Sequence, residues 1–516
     1  MTEQRQEGSA RRSGDACRSE KNEAFSVNSH PSEMLLSPTL LEASAGTGKT
    51  FSIKHLVLRF IVEHNKQIDR ILVVTFTRAA TAELSTRIRE HLNETVRYTE
   101  ACRRVAESLK NCETGLSDSA EKAVARDLVG AARTAGLETE PFEALTNETD
   151  SLIVDQVRRW AEMTTVSETR EGERVPLSFD LQLTRLRRAL SNFDNAAIYT
   201  IHSFCRQMLD TRAFSASGAL EWELVPDDAD FRRQAIADFL RRELFRALPD
   251  AQHRRQLVDE VKWDSILSAV SAMPAGLVSR EIKGDRLCEE RRRFLDEVPA
   301  ALQKLKADAG VAVYDDLLIT MWKTIECEKQ HPAGERAFIR SVREAYQAVL
   351  IDEFQDTDPL QYEIFKSLFL PEDPEDWKNG ALFFVGDPKQ AIYSFRSADL
   401  ETYFKAREDL IELNRAEGKR ARRTVIAHLP MNYRSSPALV ASVNAFFSYT
   451  TPMPGAQPKR AFLNPKLDFV PVGFKQGKTG LFLWTTGTGR RWIRLSCVRA
   501  IPLTGPKTGL RLKSMP

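Results

Sequence analysis

Eight residues, Ala43-Ser-Ala-Gly-Thr-Gly-Lys-Thr50, carry the clearest chemistry in the sequence. Gly46 and Gly48 let the backbone turn its N–H groups inward, and a lysine and a hydroxyl residue follow directly. That order suits a phosphate chain: backbone N–H groups cradle it, the Lys49 ammonium reaches the terminal phosphates, and the Thr50 hydroxyl is placed to ligate Mg²⁺. The expected nucleotide-binding residues are Ala43, Ser44, Ala45, Gly46, Thr47, Gly48, Lys49 and Thr50. Ala43 departs from the usual G-x-x-x-x-G-K-[ST] pattern, which begins with glycine.

A phosphate loop needs a carboxylate at the end of a neighbouring strand, and Ala348-Val-Leu-Ile-Asp-Glu-Phe-Gln-Asp356 supplies it. Asp352 is placed to hold Mg²⁺, while Glu353 suits the orientation or deprotonation of an attacking water. Acids after a strand are commonly a solvated loop. Their pairing with the loop at Lys49 argues for chemistry instead.

Three further segments mix aromatic, hydroxyl and basic side chains: Thr75-Phe-Thr-Arg78, Thr200-Ile-His-Ser-Phe204, and Gly386-Asp-Pro-Lys-Gln-Ala-Ile-Tyr-Ser-Phe-Arg396. Aromatic rings stack bases and the polar groups contact phosphodiesters, the composition of a sequence-tolerant single-strand track. Phe76 and Phe204 taken singly are more often core residues. Finally, Leu429-Pro-Met-Asn-Tyr-Arg-Ser-Ser436 sets an arginine beside an aromatic, Arg434 suited to a γ-phosphate and Tyr433 to adenine.

The elements that must position these residues are legible in outline. Apolar runs at Leu40–Ala43, Ile71–Phe76, Ala197–Thr200, Ala348–Ile351, Ala381–Val385 and Thr424–Leu429 read as strands, with a helix from Lys49 to Glu63. Strand, loop, helix, strand begins a parallel α/β sheet. Each candidate segment then lies at a strand end on one edge of that sheet. Two helical stretches interrupt it, at about 90–190 and 212–345. In the second, Asp227 or Asp228 is a candidate N-cap and Ile236, Phe239, Leu240 and Leu244 form an apolar stripe.

Composition excludes several classes. Among 516 residues, 42% are apolar and 28% charged, ordinary for a globular protein. No apolar run is long enough to span a bilayer, and the polar N-terminus lacks a signal-peptide core. Seven scattered cysteines without a C-x-x-C pair argue against a disulfide framework or zinc cage and for a reducing cytoplasm. The net charge is +2, but nine Lys/Arg and no acid lie beyond Val470, leaving −7 over residues 1–470. A polyanion would have to be held in a local groove, because no global positive field attracts it.

Taken in order, LLEASAGTGKTFSI, ILVVTFTRAATAEL, IYTIHSFCRQML, VLIDEFQDTDPLQY, FFVGDPKQAIYSFRSAD and MNYRSSPALVASVN resemble the superfamily 1 helicases of the UvrD/Rep type, and within them the RecB branch, over roughly residues 35–470. The resemblance implies a RecA-like fold, ATP and Mg²⁺ as cofactors, and 3′→5′ travel on single-stranded DNA. It also implies work at duplex ends beside RecC-like and RecD-like subunits in double-strand-break repair. Catalytic roles fall to Lys49, Asp352, Glu353, Gln390 and Arg434, with Gln390 sensing the γ-phosphate and Tyr433 stacking on adenine. Phe76, Thr77, His202, Tyr393, Phe395 and Arg396 would meet DNA.

The expected layout is a disordered leader (1–34), an ATP-binding RecA-like domain with helical insertions (35–422), the start of a second RecA-like lobe (423–470) and a basic tail (471–516) unlike the family. No Gln occurs in Ser32–Glu42, where relatives read adenine. The family's later motifs have no counterpart after Asn444, and the RecB nuclease domain has none at all. The sequence therefore also admits a shortened module that binds ATP and single-stranded DNA without unwinding. A small-molecule kinase is disfavoured by the Asp352-Glu353 pair and the Gln390 segment.

Overall fold

The computed structural model describes residues 23–27, 30–111, 120–163, 176–211, 222–246, 252, 255, 263–271, 288–392, 399–415, 423–448, 466, 467, 469–474, 481–486 and 489–494. The chain divides into two units. The first comprises residues up to Ala43 and Lys49–Leu429, and the second Ser44–Gly48 with Pro430–Pro516.

A seven-stranded, all-parallel sheet organises the first unit. Its strands are β1 (Glu23–Ala24), β2 (Thr39–Glu42), β3 (Ile71–Thr75), β4 (Ile198–Thr200), β7 (Ala348–Ile351), β8 (Ala381–Gly386) and β9 (Val425–His428), in the order β1-β9-β2-β8-β7-β3-β4. Two short strands of an insertion, β5 (Glu223–Leu224) and β6 (Val311–Ala312), pair only with each other. Helices cover both faces of a parallel sheet, so its central strands are apolar throughout instead of alternating. Every residue of β3, β7 and β8 is buried accordingly. Helix α1 (Lys49–Val62) follows β2 and is buried over most of its surface from Ser52 onward.

The strands expected from the sequence are present within a residue or two of their expected ends, and the α/β parallel architecture holds. Three boundaries differ. The leader expected over 1–34 gives way to folded chain by Glu23: β1 pairs with β9, and Phe25 and Leu35 are core residues. An aromatic and a few apolar residues suffice there because a buried charge network supplies the rest. The strand expected at 424–429 to open a second lobe is β9 of the first sheet, hydrogen-bonded to β2 from Thr39 to Glu42. Apart from Ser44–Gly48, the second unit starts only at Pro430. The first insertion begins earlier than 90, because α2 runs unbroken from Arg78 to Asn111.

That first insertion packs into the same core as the sheet, through Tyr98, Cys102, Val105, Ile153, Val157 and Trp160. The second has a core of its own, where Phe239, Trp263 and Phe294 meet with ring centroids 4.6–5.6 Å apart. Asp227 caps its first helix, Ala229–Arg246, by accepting from the Ala229 N–H at 2.9 Å. Phe239 of the expected stripe is fully buried, while Ile236, Leu240 and Leu244 pack partly buried against it.

In the second unit, β10 (Met431–Asn432) pairs in parallel with β11 (Gly473–Phe474), and β12 (Leu481–Thr486) forms an antiparallel hairpin with β13 (Gly489–Arg494). The tail expected from 471 therefore begins within paired structure. Residues 1–22 and 495–516 lie outside the described residues.

Near the C-terminal end of α1, Arg59 donates to the Val27 carbonyl at 2.6 Å, to the His30 carbonyl at 2.8 Å and to Glu63 at 2.7 and 2.8 Å. Glu63 also accepts from the Trp160 indole at 2.9 Å. Both charges are essentially inaccessible. Glu63→Gln would leave the buried guanidinium uncompensated and should destabilise the protein by about 3–5 kcal/mol. The expected reading is a lower denaturation midpoint at unchanged m-value. A change within about 0.5 kcal/mol, the size of an ordinary surface substitution, would show that this network does not hold residues 25–32.

Candidate active site

The carboxyl end of the sheet gathers the chemistry-bearing residues of the first unit. Beyond β7, the Asp352 N–H donates to the Val74 carbonyl at 2.8 Å, continuing the ladder and fixing that residue at the sheet edge. Burial, then the neighbouring Glu353 charge, push the Asp352 carboxyl up to about 6, with Lys49 opposing. Glu353 adopts left-handed backbone, φ 52°, which costs a non-glycine residue roughly 1–2 kcal/mol. Three hydrogen bonds hold it there. Its N–H donates to Asp352 Oδ1 at 2.9 Å, its carbonyl accepts from the Asp356 N–H at 2.9 Å, and its Oε2 accepts from Gln355 Nε2 at 2.8 Å. The same Oε2 forms an ion pair with Lys49 Nζ.

Gln355 ties this turn to the end of β8. Its Nε2 also reaches Asp356 Oδ2 at 3.0 Å, and its Oε1 accepts the Asp387 N–H at 3.0 Å. Asp387 in turn accepts from Gln390 Nε2 at 2.7 Å and pairs with Lys389 at 2.7 Å. Gly386 makes the approach possible: a Cβ there would lie 2.8 Å from Gln355 Oε1 and within 3.2 Å of two backbone nitrogens. Asp356 is raised to about 6, first by burial and then by Glu353.

A cavity of about 340 Å³ opens at this edge, lined among others by Thr50, Phe76, Asp352, Glu353, Asp356 and Gln390. Three threonines, four acidic residues and two glutamines line it. An all-oxygen donor set of this kind suits a hard cation such as Mg²⁺ better than a thiophilic metal. Thr50, Asp352, Glu353, Gln390, Phe76 and Thr77, picked out from sequence, thus share one space. Ala43 stands apart from them in character, since its methyl is a core group and its N–H donates to the Gly386 carbonyl at 2.9 Å.

Thr77 lines the same cavity, whereas His202 stands elsewhere. His202 Nε2 lies 3.8 Å from Asp315, and its ring meets Tyr314 edge-on at 5.9 Å. Arg78 donates to the Tyr314 hydroxyl at 3.1 Å. Thr77 is exposed, with its hydroxyl accepting from the Ala80 N–H at 3.1 Å at the start of α2. Tyr393, Phe395 and Arg396 lie outside the described residues.

In the second unit, the loop Ser44–Gly48 and the segment from Pro430 are described together. Gly46 and Gly48 have φ of 78° and 97°, left-handed conformations that glycine adopts without strain. Asn432 donates to the Ala45 carbonyl at 2.9 Å and accepts from the Arg434 and Ser435 N–H groups at 3.0 and 2.8 Å. The Tyr433 N–H donates to the Gly46 carbonyl at 2.9 Å. A Cβ on Gly46 would lie 2.9 Å from both the Arg434 Cβ and the Asn432 amide. Tyr433 is half exposed and Arg434 exposed.

Sequence reasoning named Gln390 but passed over Gln355, Asp356, Gly386, Asp387 and Asn432 as working residues, although each stood inside a segment it singled out. Tyr314 had no signal, because only the fold brings it to Arg78 and His202.

Known proteins resemble this chain in sequence. Residues 27–411 match the UvrD/REP helicase N-terminal domain. The chain is 31% identical to the RecBCD enzyme subunit RecB of Mycobacterium tuberculosis (strain CDC 1551 / Oshkosh), over 78% of this chain and 29% of that protein. For the RecB subunit of Escherichia coli (strain K12) the identity is 28%, over 84% of this chain and 39% of that protein. For that of Haemophilus influenzae it is 24%, over 86% and 42%. The chain thus spans less than half the length of these relatives. Among the described residues, no helix is long and apolar enough to cross a membrane. A domain match extending over most of the chain settles the relationship: this protein belongs to the UvrD/Rep helicase family, with its α/β RecA-like fold.

Proposed function

We propose that this chain is the ATP-hydrolysing motor portion of a RecB-type DNA helicase. It would move 3′→5′ on single-stranded DNA, in the cytoplasm, during recombinational repair of double-strand breaks beside RecC-like and RecD-like subunits. The observation that carries this reading is the Lys49–Glu353 ion pair, whose carboxylate lines one cavity with Thr50, Asp352 and Gln390. Similarity to RecB subunits of the RecBCD enzyme supports the DNA-end substrate and the partners.

The residues divide the work by chemistry. Backbone N–H groups of Ser44–Gly48 cradle the phosphates, Lys49 neutralises their charge, and Arg434 and Tyr433 serve the γ-phosphate and adenine. Thr50 and Asp352 hold Mg²⁺, which supplies charge neutralisation on the phosphate oxygens when bound. Glu353 orients the attacking water and accepts its proton. With phosphate present, Lys49 has a stronger anionic partner than Glu353, so its departure frees the carboxylate to act as base. The strained backbone at Glu353 and its bond to Gln355 keep that carboxylate aimed while this exchange occurs. Gln355, Asp387 and Gln390 then form a hydrogen-bonded route from the water-activating acid to the segment that contains Tyr393, Phe395 and Arg396. Those residues, with Phe76, Thr77 and His202, are the proposed contacts to DNA, the aromatic rings stacking bases and the polar groups touching the backbone.

ATP hydrolysis by the purified chain, measured with and without single-stranded DNA, tests the reading. Lys49→Ala should reduce turnover by at least about 10²-fold, the weight of one preorganised electrostatic contact, and leave the circular dichroism spectrum unchanged. Unaltered ATPase would remove Lys49 from the site.

Glu353→Gln should keep ATP and Mg²⁺ binding, because Lys49, Thr50 and Asp352 remain, and lose about 10²–10⁴-fold in turnover, the contribution of a general base. Equilibrium binding of a fluorescent ATP analogue separates the two effects. Loss of binding together with turnover would assign Glu353 a structural role.

A further inference from the structure

Away from the nucleotide site, two imidazoles and a carboxylate meet inside the first unit, where α1, α2 and the helix Ser151–Ala161 converge. His55 belongs to α1 and His91 to α2, while Asp150 caps the third helix by accepting from the Leu152 N–H at 3.1 Å. One ligand atom from each lies within 4.8 Å of the other two. His55 Nδ1 and His91 Nε2 are 3.2 Å apart. The edge of a tetrahedron built on zinc–nitrogen bonds is about 3.3 Å. Gln156 Oε1 stands 3.5 Å from His55 Nδ1, offering a fourth donor.

A plain histidine–histidine hydrogen bond accounts for one pair of atoms and leaves the rest. His55, His91 and Gln156 are 0%, 2% and 1% exposed, yet His55 Nε2, His91 Nδ1 and Gln156 Nε2 have no hydrogen-bond partner. Asp150 Oδ2 is 3.9 Å from His55 Nε2, beyond hydrogen-bond reach. Those unpartnered atoms are the second ring nitrogens and the amide nitrogen; the atoms that converge are His55 Nδ1, His91 Nε2 and Gln156 Oε1, with an Asp150 oxygen close by, and this gathering of lone pairs is what points to an ion. Burial also holds both imidazoles well below their usual pKa, in the neutral form that ligates metals.

We propose that His55, His91 and Asp150 bind one divalent transition-metal cation of the zinc class, with Gln156 or water completing the coordination. Two imidazoles and a carboxylate favour such a cation over Mg²⁺ or Ca²⁺, which take all-oxygen sites. The site is structural: it staples the helix that follows the phosphate loop to α2 and to the first insertion. Lys54 is its competitor. That ammonium lies 3.5 Å from Asp150 Oδ2 and 4.7 Å over the Phe51 ring, placing positive charge beside the cation's carboxylate.

The test uses the full chain, stripped with EDTA and titrated with Co²⁺ and then Zn²⁺ in excess Mg²⁺, so that oxygen-donor sites are already filled. The expected result is one equivalent of Co²⁺ giving the visible d–d band of four-coordinate cobalt, bleached by one equivalent of Zn²⁺. The thermal midpoint should rise with Zn²⁺ and fall again with EDTA, as linkage requires. Asp150→Asn keeps the cap to Leu152 and His91→Leu fills the buried volume, so both should fold. Each should weaken Zn²⁺ binding at least about tenfold, while Lys54→Gln should strengthen it. No saturable equivalent in the wild-type chain would overturn the proposal, as would a cobalt band that survives unchanged in both Asp150→Asn and His91→Leu.

Discussion

Lys49 and Glu353 meet because two strands that are not neighbours end on the same edge of one sheet. Lys49 opens α1 after β2, and Glu353 follows β7, with β8 between them. Two strand spacings are about 9.6 Å, so a long cation and a long anion must lean toward each other across the end of β8. That end must be bare. Gly386 makes it so, and Gln355 takes the vacated space to reach Asp387. The ion pair, the missing side chain and the glutamine bridge are one geometric solution. It exists only in a parallel sheet, where all the strands deliver their C-terminal residues to the same side.

This dependence explains which parts of the site could be read from sequence. Lys49, Asp352 and Glu353 announce themselves locally: a glycine-rich turn before a helix, and acids after four apolar residues. Gln355, Asp387 and Gly386 do not, because what they do depends on β7 and β8 being adjacent, and neither segment carries that information alone. The same holds for β9. Its apolar run is plain in the sequence, but whether it opens a new lobe or adds to the first sheet is decided by pairing with β2. Residues 23–36 misled for a different reason. Their composition is polar, and their burial depends on Arg59, whose guanidinium collects the Val27 and His30 carbonyls. A lone arginine in an apolar helix gives no notice of such partners.

The two helical insertions differ in where their cores lie. The first shares the sheet's core, so Trp160 and Ile153 are as much part of it as the strands. The second keeps a separate aromatic core, and a buried charge cluster ties its own segments to one another. Lys306, nearly inaccessible, bonds Asp228 at 3.1 Å and Asp316 at 2.7 and 2.8 Å. Buried charge clusters of this kind add little net stability compared with apolar packing, but breaking one partner is costly, so they specify a single arrangement. A core-sharing insertion stiffens the sheet whose edge carries Lys49 and Glu353. An insertion with its own core can be positioned by few residues.

Helix α1 shows why that stiffness matters. Its first residue is Lys49, the partner of Glu353, and its far end carries Arg59, which with Glu63 just beyond reaches the N-terminal segment and Trp160. Between them His55 faces His91 on α2, which itself begins at Arg78 beside Thr77. Polar groups inside a helix this buried are expensive unless each finds a partner on another element. Meeting that requirement locks α1 to the strand-end segment on one side and to the first insertion on the other. The lysine therefore has little freedom except at its own side chain. The proposed exchange of partners between Glu353 and a phosphate would then be a motion of that side chain alone.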